Sequence, residues 1–305
     1  MTKHQILIVD DDKDIHDLTR LSLKGMSFKG QGCEFLSAYS AADALSILQG
    51  NLSISVVLLD VVMESDLAGL NLCRHIREEQ SNDKVRIILR TGQPGNCPKK
   101  ETIDAYDLDG YLSKTEITAT KLYSAVRTGM KAWYELMELE RHRQNLTLIH
   151  ECAMSIHSYE PLEMALPRIM SAAASICSTS PIVLNLQTTS GGAEKKSHTL
   201  HRSNMHDDFH LNEYSDNCRQ EINSLVEFYK ESTLLDACDG VVFPFALHRE
   251  IGRGWIYVAT TELDNLQQQA LYLLCGHASN MLYSMVAKET LPTSSDGDDF
   301  DLMSI

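Results

Sequence analysis

Between residues 5 and 114, short apolar runs alternate with segments in which apolar residues recur every three or four positions. The runs read QILIV, EFLSAY, ISVVLLD, VRIILRT and GYLSK, and the segments between them have the spacing of amphipathic helices. Mostly apolar strands that alternate with helices are typical of a parallel sheet covered on both faces. The pattern therefore predicts an α/β fold with a doubly wound, five-stranded parallel sheet.

Acidic and polar residues occur where these predicted strands end. Asp10 and Asp11 follow the first strand, Asp60 ends the third, Thr91 ends the fourth and Lys114 ends the fifth. Doubly wound sheets bind ligands at this edge. Carboxylates about 4 Å apart repel by about 4 kcal/mol at an effective dielectric near 20, so we expect a divalent cation between them. Oxygen ligands favour Mg²⁺, and the lysine and the threonine hydroxyl would complete a pocket for a phosphoryl group.

Each residue taken alone also has a structural explanation. Asp12 could cap the helix that begins near Ile15. Asp60 could simply end a buried strand, and Thr91 and Lys114 could be an ordinary strand-end hydroxyl and a solvated lysine. Their common placement at one edge of one predicted sheet is what favours a site.

The motifs ILIVDDD, VVLLDVVM, IILRTG and GYLSK, in this order and spacing, resemble those of response-regulator receiver domains, which have a flavodoxin-like fold. The resemblance implies that Asp10 and Asp11 are the acidic Mg²⁺-binding pair. It also implies that Asp60 accepts a phosphoryl group, and that the main-chain carbonyl of Val62 is a further metal ligand. The donor implied is a sensor histidine kinase or a phosphotransfer protein.

The same resemblance assigns Lys114 to the neutralisation of phosphoryl charge and Thr91 and Tyr111 to a conformational switch. Two positions depart from the family pattern. Thr115 stands where receivers usually have a proline, often preceded by a cis peptide bond that would be costly before threonine. Glu64 stands where a proline is common, and it is either a solvated loop acid or a group that tunes the site.

A long segment without proline follows the receiver-like region. From residue 118 to residue 150 it predicts a connecting signalling helix, and its apolar residues form a stripe resembling a coiled-coil seam. The stripe favours a homodimer, and a helix packed on its own domain is the alternative. Its members are Leu122, Ala125, Gly129, Ala132, Leu136, Leu139 and Leu146.

Residues 151–288 predict a second, smaller α+β domain, and residues 289–305 an acidic disordered tail, which leaves residues 1–117 as the receiver domain. The hairpin VVFPF…GRGWIYVATTEL and the long final helix resemble regulators in which a GAF-like domain of uncharacterised function follows the receiver. Many of those regulators carry a cyclic-di-GMP phosphodiesterase domain of the HD-GYP type, whose motifs are absent here.

Composition narrows the remaining classes. Apolar residues make up 43% and charged residues 23% of the chain, as in folded globular proteins. The net charge of −15 argues against nucleic acid as a partner. Eight cysteines without a C-x-x-C pair suggest reduced thiols. No leader or membrane-spanning run fits the sequence, so we expect a cytoplasmic protein.

We therefore expect a response regulator of a two-component phosphorelay, without a catalytic output. A regulatory partner or degenerate relative of a cyclic-di-GMP phosphodiesterase is one alternative, and a small-ligand sensor is another. A histidine cluster could bind metal or haem, although its spacing matches no familiar site. Its members are His198, His201, His206 and His210.

Overall fold

The structure is a computed structural model of the chain. It describes residues 3–49, 51, 53–92, 103–104, 106–156, 161–177, 180–190, 194–202, 216–228, 235–238, 240–247 and 251–290. The chain divides into two compact units, Met1–Glu140 and Arg141–Ile305. Within the described residues, none of the helices combines the length and apolarity that crossing a membrane requires.

The first unit alternates strands and helices as its apolar pattern predicts. Its elements are β1 (His4–Val9), α1 (Lys13–Ser22), β2 (Ser27–Phe28), β3 (Gln31–Ala38), α2 (Ala41–Gln49), β4 (Ile54–Asp60), α3 (Ala68–Arg74) with a π-helical turn (His75–Glu79), β5 (Arg86–Thr91), β6 (Gly110–Ser113) and the start of α4 (Ala119–Ser155). Most of the residues between β5 and β6, namely 93–102 and 105, lie outside the described residues.

The sheet of this unit has the strand order β2-β3-β1-β4-β5-β6. The five strands from β3 to β6 in this order run parallel, which confirms the predicted sheet and the α/β class. The sequence did not predict β2, a two-residue strand that pairs antiparallel with β3. The turn between them places Lys29 and Gly30 at positive φ, the backbone that a two-residue hairpin needs.

Apolar side chains cover both faces of the parallel sheet. Every residue of β4 from Ile54 to Asp60 is buried, because β4 is a central strand. One face packs against α2 and α3. The other packs against Leu23, the C-cap of α1, and against the first turns of α4. The ends of β1, β4 and β5 thereby lie side by side at one edge of the sheet.

The apolar stripe of α4 divides into two parts. Leu122 and Gly129 are buried on the sheet, where a Cβ at Gly129 would lie 3.2 Å from Val56 Cγ2. Further along the helix, Leu139 is 66% and Leu146 47% exposed. The alternative of a helix packed on its own domain thus holds for the first turns, and the rest of the stripe keeps the dimer prediction open.

The second unit is built on an antiparallel sheet of five strands, β7 (Ile182–Ser190), β8 (Glu194–Arg202), β9 (Leu235–Ala237), β10 (Gly240–Ala246) and β11 (Gly252–Val258). Their order in the sheet is β8-β7-β11-β10-β9. The end of α4 packs with two helices on one face of this sheet, and a third helix packs on the other. The hairpin β10–β11 lies where the sequence predicts it. The three helices are α5 (Leu162–Cys177), α6 (Asp216–Phe228) and α7 (Asn265–Thr290).

The expectation that all cysteines are reduced is wrong for Cys218 and Cys238, which form a disulfide with Cα atoms 6.1 Å apart. The fold brings them together because α6 starts beside the end of β9, although 20 residues separate them in sequence. Most of the predicted acidic tail, residues 291–305, lies outside the described residues, and α7 extends to Thr290.

Candidate functional site

Three carboxylates converge at the carboxyl edge of the parallel sheet. Asp10 follows β1 and Asp60 ends β4, two neighbouring strands. Asp10 is fully buried, Asp60 is 4% exposed and Asp11 faces solvent. One oxygen from each of these three residues lies within 4.8 Å of the others. The convergence expected from the strand ends is thus present in the structure.

Asp12, the third aspartate of the run, has a different task. It is the N-cap of α1, and its side chain accepts a hydrogen bond from the Asp14 N–H at 2.9 Å. Its own N–H donates to Asp10 Oδ1 at 3.1 Å, which orients the buried carboxylate. The structural alternative for Asp12 is therefore confirmed, and its side chain is used by the helix.

Lys114 bridges the two buried carboxylates. Its Nζ lies 2.7 Å from Asp60 Oδ2 and 3.0 Å from Asp10 Oδ2. The Lys114 N–H donates to the Thr91 carbonyl at 2.7 Å, which fixes the lysine backbone against the end of β5. The Lys114 ammonium is therefore close enough to pair with negative charge on a group that is bound to Asp60.

Arg90 is a site residue that the sequence reasoning missed. It lies on β5, is 2% exposed, and places Nη2 3.2 Å from Asp10 Oδ2. A charged residue inside the run IILRT was the available signal, because an arginine in a buried strand requires a partner of opposite charge.

The Asp60 carboxylate has a perturbed acidity. Burial raises the pKa of Asp60 above its usual value, and the nearby charge of Asp10 raises it further. The hydrogen bond and charge of Lys114, and the charge of Arg90, oppose this effect without cancelling it. Burial likewise lowers the pKa of Arg90, opposed by the two carboxylates. Because the charge of Asp60 is only partly offset, a further cation close to this carboxylate would be bound favourably.

The other predicted residues lie around this cluster. Thr91 ends β5 and is buried, and Tyr111 lies on β6 in register with Leu89 and is half-buried. Val62 is half-buried two residues beyond Asp60. The roles of all three stay predictions.

Thr115 and Glu64, the two positions that depart from the receiver pattern, have ordinary local contacts. No cis peptide bond occurs among the described residues, which include Lys114 and Thr115. The Thr115 hydroxyl lies 2.8 Å from the Ser113 hydroxyl. Glu64 is exposed and accepts a hydrogen bond at 3.1 Å from the N–H of Ala41, the first residue of α2. Glu64 therefore supports a helix start.

A glycine at the start of α3 packs directly behind Asp60. The Gly69 N–H donates to the Val61 carbonyl at 3.0 Å, and a Cβ at this position would collide with the Asp60 carbonyl oxygen. Only glycine permits this approach of helix to strand end. The sequence contained no signal for it beyond the residue itself.

The donor set fits a magnesium ion. Three carboxylates within a few ångströms, two of them buried, provide the hard oxygen ligands that Mg²⁺ prefers. The raised pKa of Asp60 shows that Lys114 and Arg90 only partly offset the cost of burying its charge. A divalent cation would supply the remainder.

Comparison with known proteins agrees with this geometry. Residues 6–127 match the family model of the response regulator receiver domain. These residues are a receiver domain of the response-regulator class, followed by a second domain of mixed helices and strands.

Two curated proteins are similar in sequence to part of this chain. The chain is 37% identical over 158 residues, 52% of its length, to the 3'3'-cGAMP-specific phosphodiesterase 2 of Vibrio cholerae, of which it covers 30%. It is 33% identical over 111 residues, 36% of its length, to the transcriptional regulatory protein YrkP of Bacillus subtilis, of which it covers 43%. The chain thus spans less than half of either relative.

A third curated protein and a solved receiver-domain structure are also similar to part of this chain. The chain is 26% identical over 179 residues, 54% of its length, to the regulatory protein VanR of Enterococcus faecium, of which it covers 71%. The signal receiver domain of an HD domain-containing protein from Pseudomonas fluorescens covers 44% of this chain and 99% of its own, with 20% identity and a TM-score of 0.36.

The histidine cluster is only partly described. His198 and His201 both lie in β8, and His206 and His210 fall outside the described residues. Among the residues that the structure describes, the potential metal-binding group is Asp10, Asp11 and Asp60. Metal or haem binding by the histidines stays an untested hypothesis.

Proposed function

We propose that the chain is a response regulator whose Asp60 accepts a phosphoryl group in the presence of Mg²⁺. The observation that carries the proposal is the joint placement of Asp10, Asp11, Asp60 and Lys114, with the lysine 2.7 Å from the acceptor oxygen. The receiver domain implies a histidine kinase or phosphotransfer protein as donor.

The transfer is a nucleophilic displacement at phosphorus. An oxygen of the Asp60 carboxylate forms the new P–O bond as the P–N bond of the donor phosphohistidine breaks. The electron pair of that bond leaves with the donor imidazole, which takes up a proton. Bound Mg²⁺, held by Asp10, Asp11, Asp60 and the Val62 carbonyl, would neutralise charge on the transferred oxygens. Lys114 moves with the phosphoryl group and stabilises it as a cation.

The output of the switch is proposed to be an interaction. Thr91 would turn towards the phosphoryl group and Tyr111 would turn inward, which shifts an existing two-state equilibrium. The long helix α4 runs from the receiver into the second unit and would carry this change. Leu139 and Leu146, exposed and seven residues apart, fit a homodimer seam along that helix. The second unit would act as a non-catalytic, GAF-like interaction domain.

The proposal is tested by incubating the protein with Mg²⁺ and acetyl phosphate and measuring intact mass. We expect the mass of one phosphoryl group to be added to the wild-type protein. No mass should be added when EDTA is present during the incubation, or when the protein is Asp60→Asn. Asp66→Asn is the matched control, because Asp66 is an exposed acid a few residues further along. An adduct that persists in Asp60→Asn would refute the assignment.

A second candidate is suggested by the Vibrio cholerae relative, whose name describes a phosphodiesterase that acts on 3'3'-cGAMP. The chain would then regulate cyclic-dinucleotide hydrolysis, either as a partner of a separate enzyme or as a regulatory part of a longer one. The test is to add phosphorylated and unphosphorylated protein to such a phosphodiesterase and follow hydrolysis. An unchanged rate in both states would exclude this candidate.

A further inference from the structure

Arg90 carries a permanent charge into the core of the receiver domain. Its neighbours on β5, Ile88 and Leu89, are 1% and 0% exposed, and Arg90 itself is 2% exposed. A guanidinium stays protonated in proteins, and burying it without a partner of opposite charge is strongly unfavourable. The position therefore depends on the carboxylate that it contacts.

The side chain reaches across a neighbouring strand to find that partner. Arg90 is paired in register with Asp60 on β4, yet its Nη2 lies 3.2 Å from Oδ2 of Asp10, beyond β4 at the end of β1. Its Nη1 donates to the Thr19 hydroxyl at 2.8 Å, and that hydroxyl donates to the Ile15 carbonyl at 2.7 Å. The helix α1 thus fixes the guanidinium in place.

The contact changes the charge of the site. Three carboxylates and the cations Lys114 and Arg90 leave a net charge of −1 in this cluster, where a neutral residue at position 90 would leave −2. Lys114 and Arg90 both contact the same oxygen, Asp10 Oδ2. Asp10 would therefore remain paired with a cation if Lys114 moved away.

We propose that Arg90 is a fixed counter-ion for Asp10, which weakens Mg²⁺ binding and releases Lys114 to follow the phosphoryl group. Arg90 is a positioning residue in this role, because it acts through Asp10 and Lys114. The inference rests on the proposed function, since it concerns the same metal and the same transfer. Arg90 would hold the metal-free site together and would keep Asp10 neutralised after Lys114 has moved.

The test compares the full-length protein with Arg90→Met, Arg90→Lys and the control Arg127→Met, which removes the same charge from an exposed position on α4. Mg²⁺ affinity is measured by titration calorimetry in metal-free buffer. We expect Arg90→Met to bind Mg²⁺ about tenfold more tightly, because the cluster is more negative. Arg90→Lys and Arg127→Met should stay within about threefold of the wild type.

A second measurement separates this role from a merely structural one. At saturating Mg²⁺, Arg90→Met should accept phosphoryl groups from acetyl phosphate about tenfold more slowly, because Asp10 retains Lys114. Tighter metal binding with slower phosphorylation is the expected signature, whereas general damage to the site would weaken both. Unchanged or weaker Mg²⁺ binding in Arg90→Met would overturn the proposal.

Two further outcomes are decisive. If Arg90→Met does not fold in EDTA, the proposal requires that millimolar Mg²⁺ restores a cooperative fold, since the cation then replaces the guanidinium. A variant that stays unfolded with Mg²⁺ would overturn the inference. If the wild-type protein itself binds no Mg²⁺, the proposed function fails, which is a separate result from an unaltered affinity in the variant.

Discussion

Removing the lysine that bridges the acidic site should destabilise the receiver domain in a way that depends on both pH and metal. The Lys114 side chain is 23% exposed, and Lys114→Met deletes an ammonium that lies 2.7 Å from Asp60 Oδ2 and 3.0 Å from Asp10 Oδ2. At an effective dielectric of 20, one such contact corresponds to about 6 kcal/mol of Coulomb attraction before desolvation. Breaking a buried ion pair on one side costs roughly 3–5 kcal/mol. Arg90 still neutralises Asp10 in the variant, so we expect about 3 kcal/mol at pH 7.5 in EDTA.

The pH dependence follows from the acidity of Asp60. Its pKa is raised in the folded state by burial, so the stability linked to its proton is present below the unfolded pKa and is lost as pH rises through the folded value. Without Lys114 the pKa of Asp60 in the folded state should rise further, so stability is lost over a wider pH range. The deficit of Lys114→Met should therefore shrink to about half at pH 5, where Asp60 is increasingly protonated. Saturating Mg²⁺ should reduce the deficit similarly at pH 7.5.

The assay is urea unfolding, monitored by amide hydrogen exchange in peptides from β1 and β4. With these peptides as the readout, the second unit does not contribute to the signal. Lys121→Met serves as the control, because it removes the same charge from an exposed position on α4 and should change stability by less than about 0.5 kcal/mol. A deficit that is equal at both pH values, and equal with and without Mg²⁺, would refute the electrostatic reasoning.

Three further changes have defined expected outcomes. Gly69→Ala should cost about 2–3 kcal/mol in urea unfolding and slow phosphorylation, because its Cβ meets the Asp60 carbonyl, whereas Gly32→Ala, with no atom near its Cβ, should be nearly neutral; equal effects would contradict the packing. Asp12→Ala should cost about 1 kcal/mol by removing the cap of α1, and Asp12→Ser should restore most of it; a cost in both would argue against capping. Cys218→Ser should lower the stability of the second unit by about 3 kcal/mol in oxidising buffer and by little under reducing conditions; no difference between the buffers would contradict a formed disulfide.

The sequence predicted the parts of the molecule that depend on periodicity. Alternating apolar runs and amphipathic segments were sufficient for the parallel sheet, because both faces of β4 must be buried. The meeting of Asp10 and Asp60 followed from the same pattern, since the carboxyl ends of neighbouring parallel strands share an edge.

Features that depend on the reach of single side chains were not predictable. Arg90 crosses β4 to contact Asp10, and which carboxylate a long side chain reaches is set by the twist and packing of the sheet. The pairing of Cys218 with Cys238 depends on how α6 lies beside β9. The strand β2 is only two residues long, too short for any alternation to be visible in the sequence.

The most direct test of phosphoryl transfer to Asp60 is the chemical identity of the modified residue. After incubation with Mg²⁺ and acetyl phosphate, reduction with borohydride converts an aspartyl phosphate to homoserine, which peptide mass spectrometry locates. We expect homoserine at position 60 and unchanged aspartate at positions 10, 11 and 12. Homoserine at any of those three positions, or none at position 60 in protein that carries the phosphoryl group, would contradict this expectation.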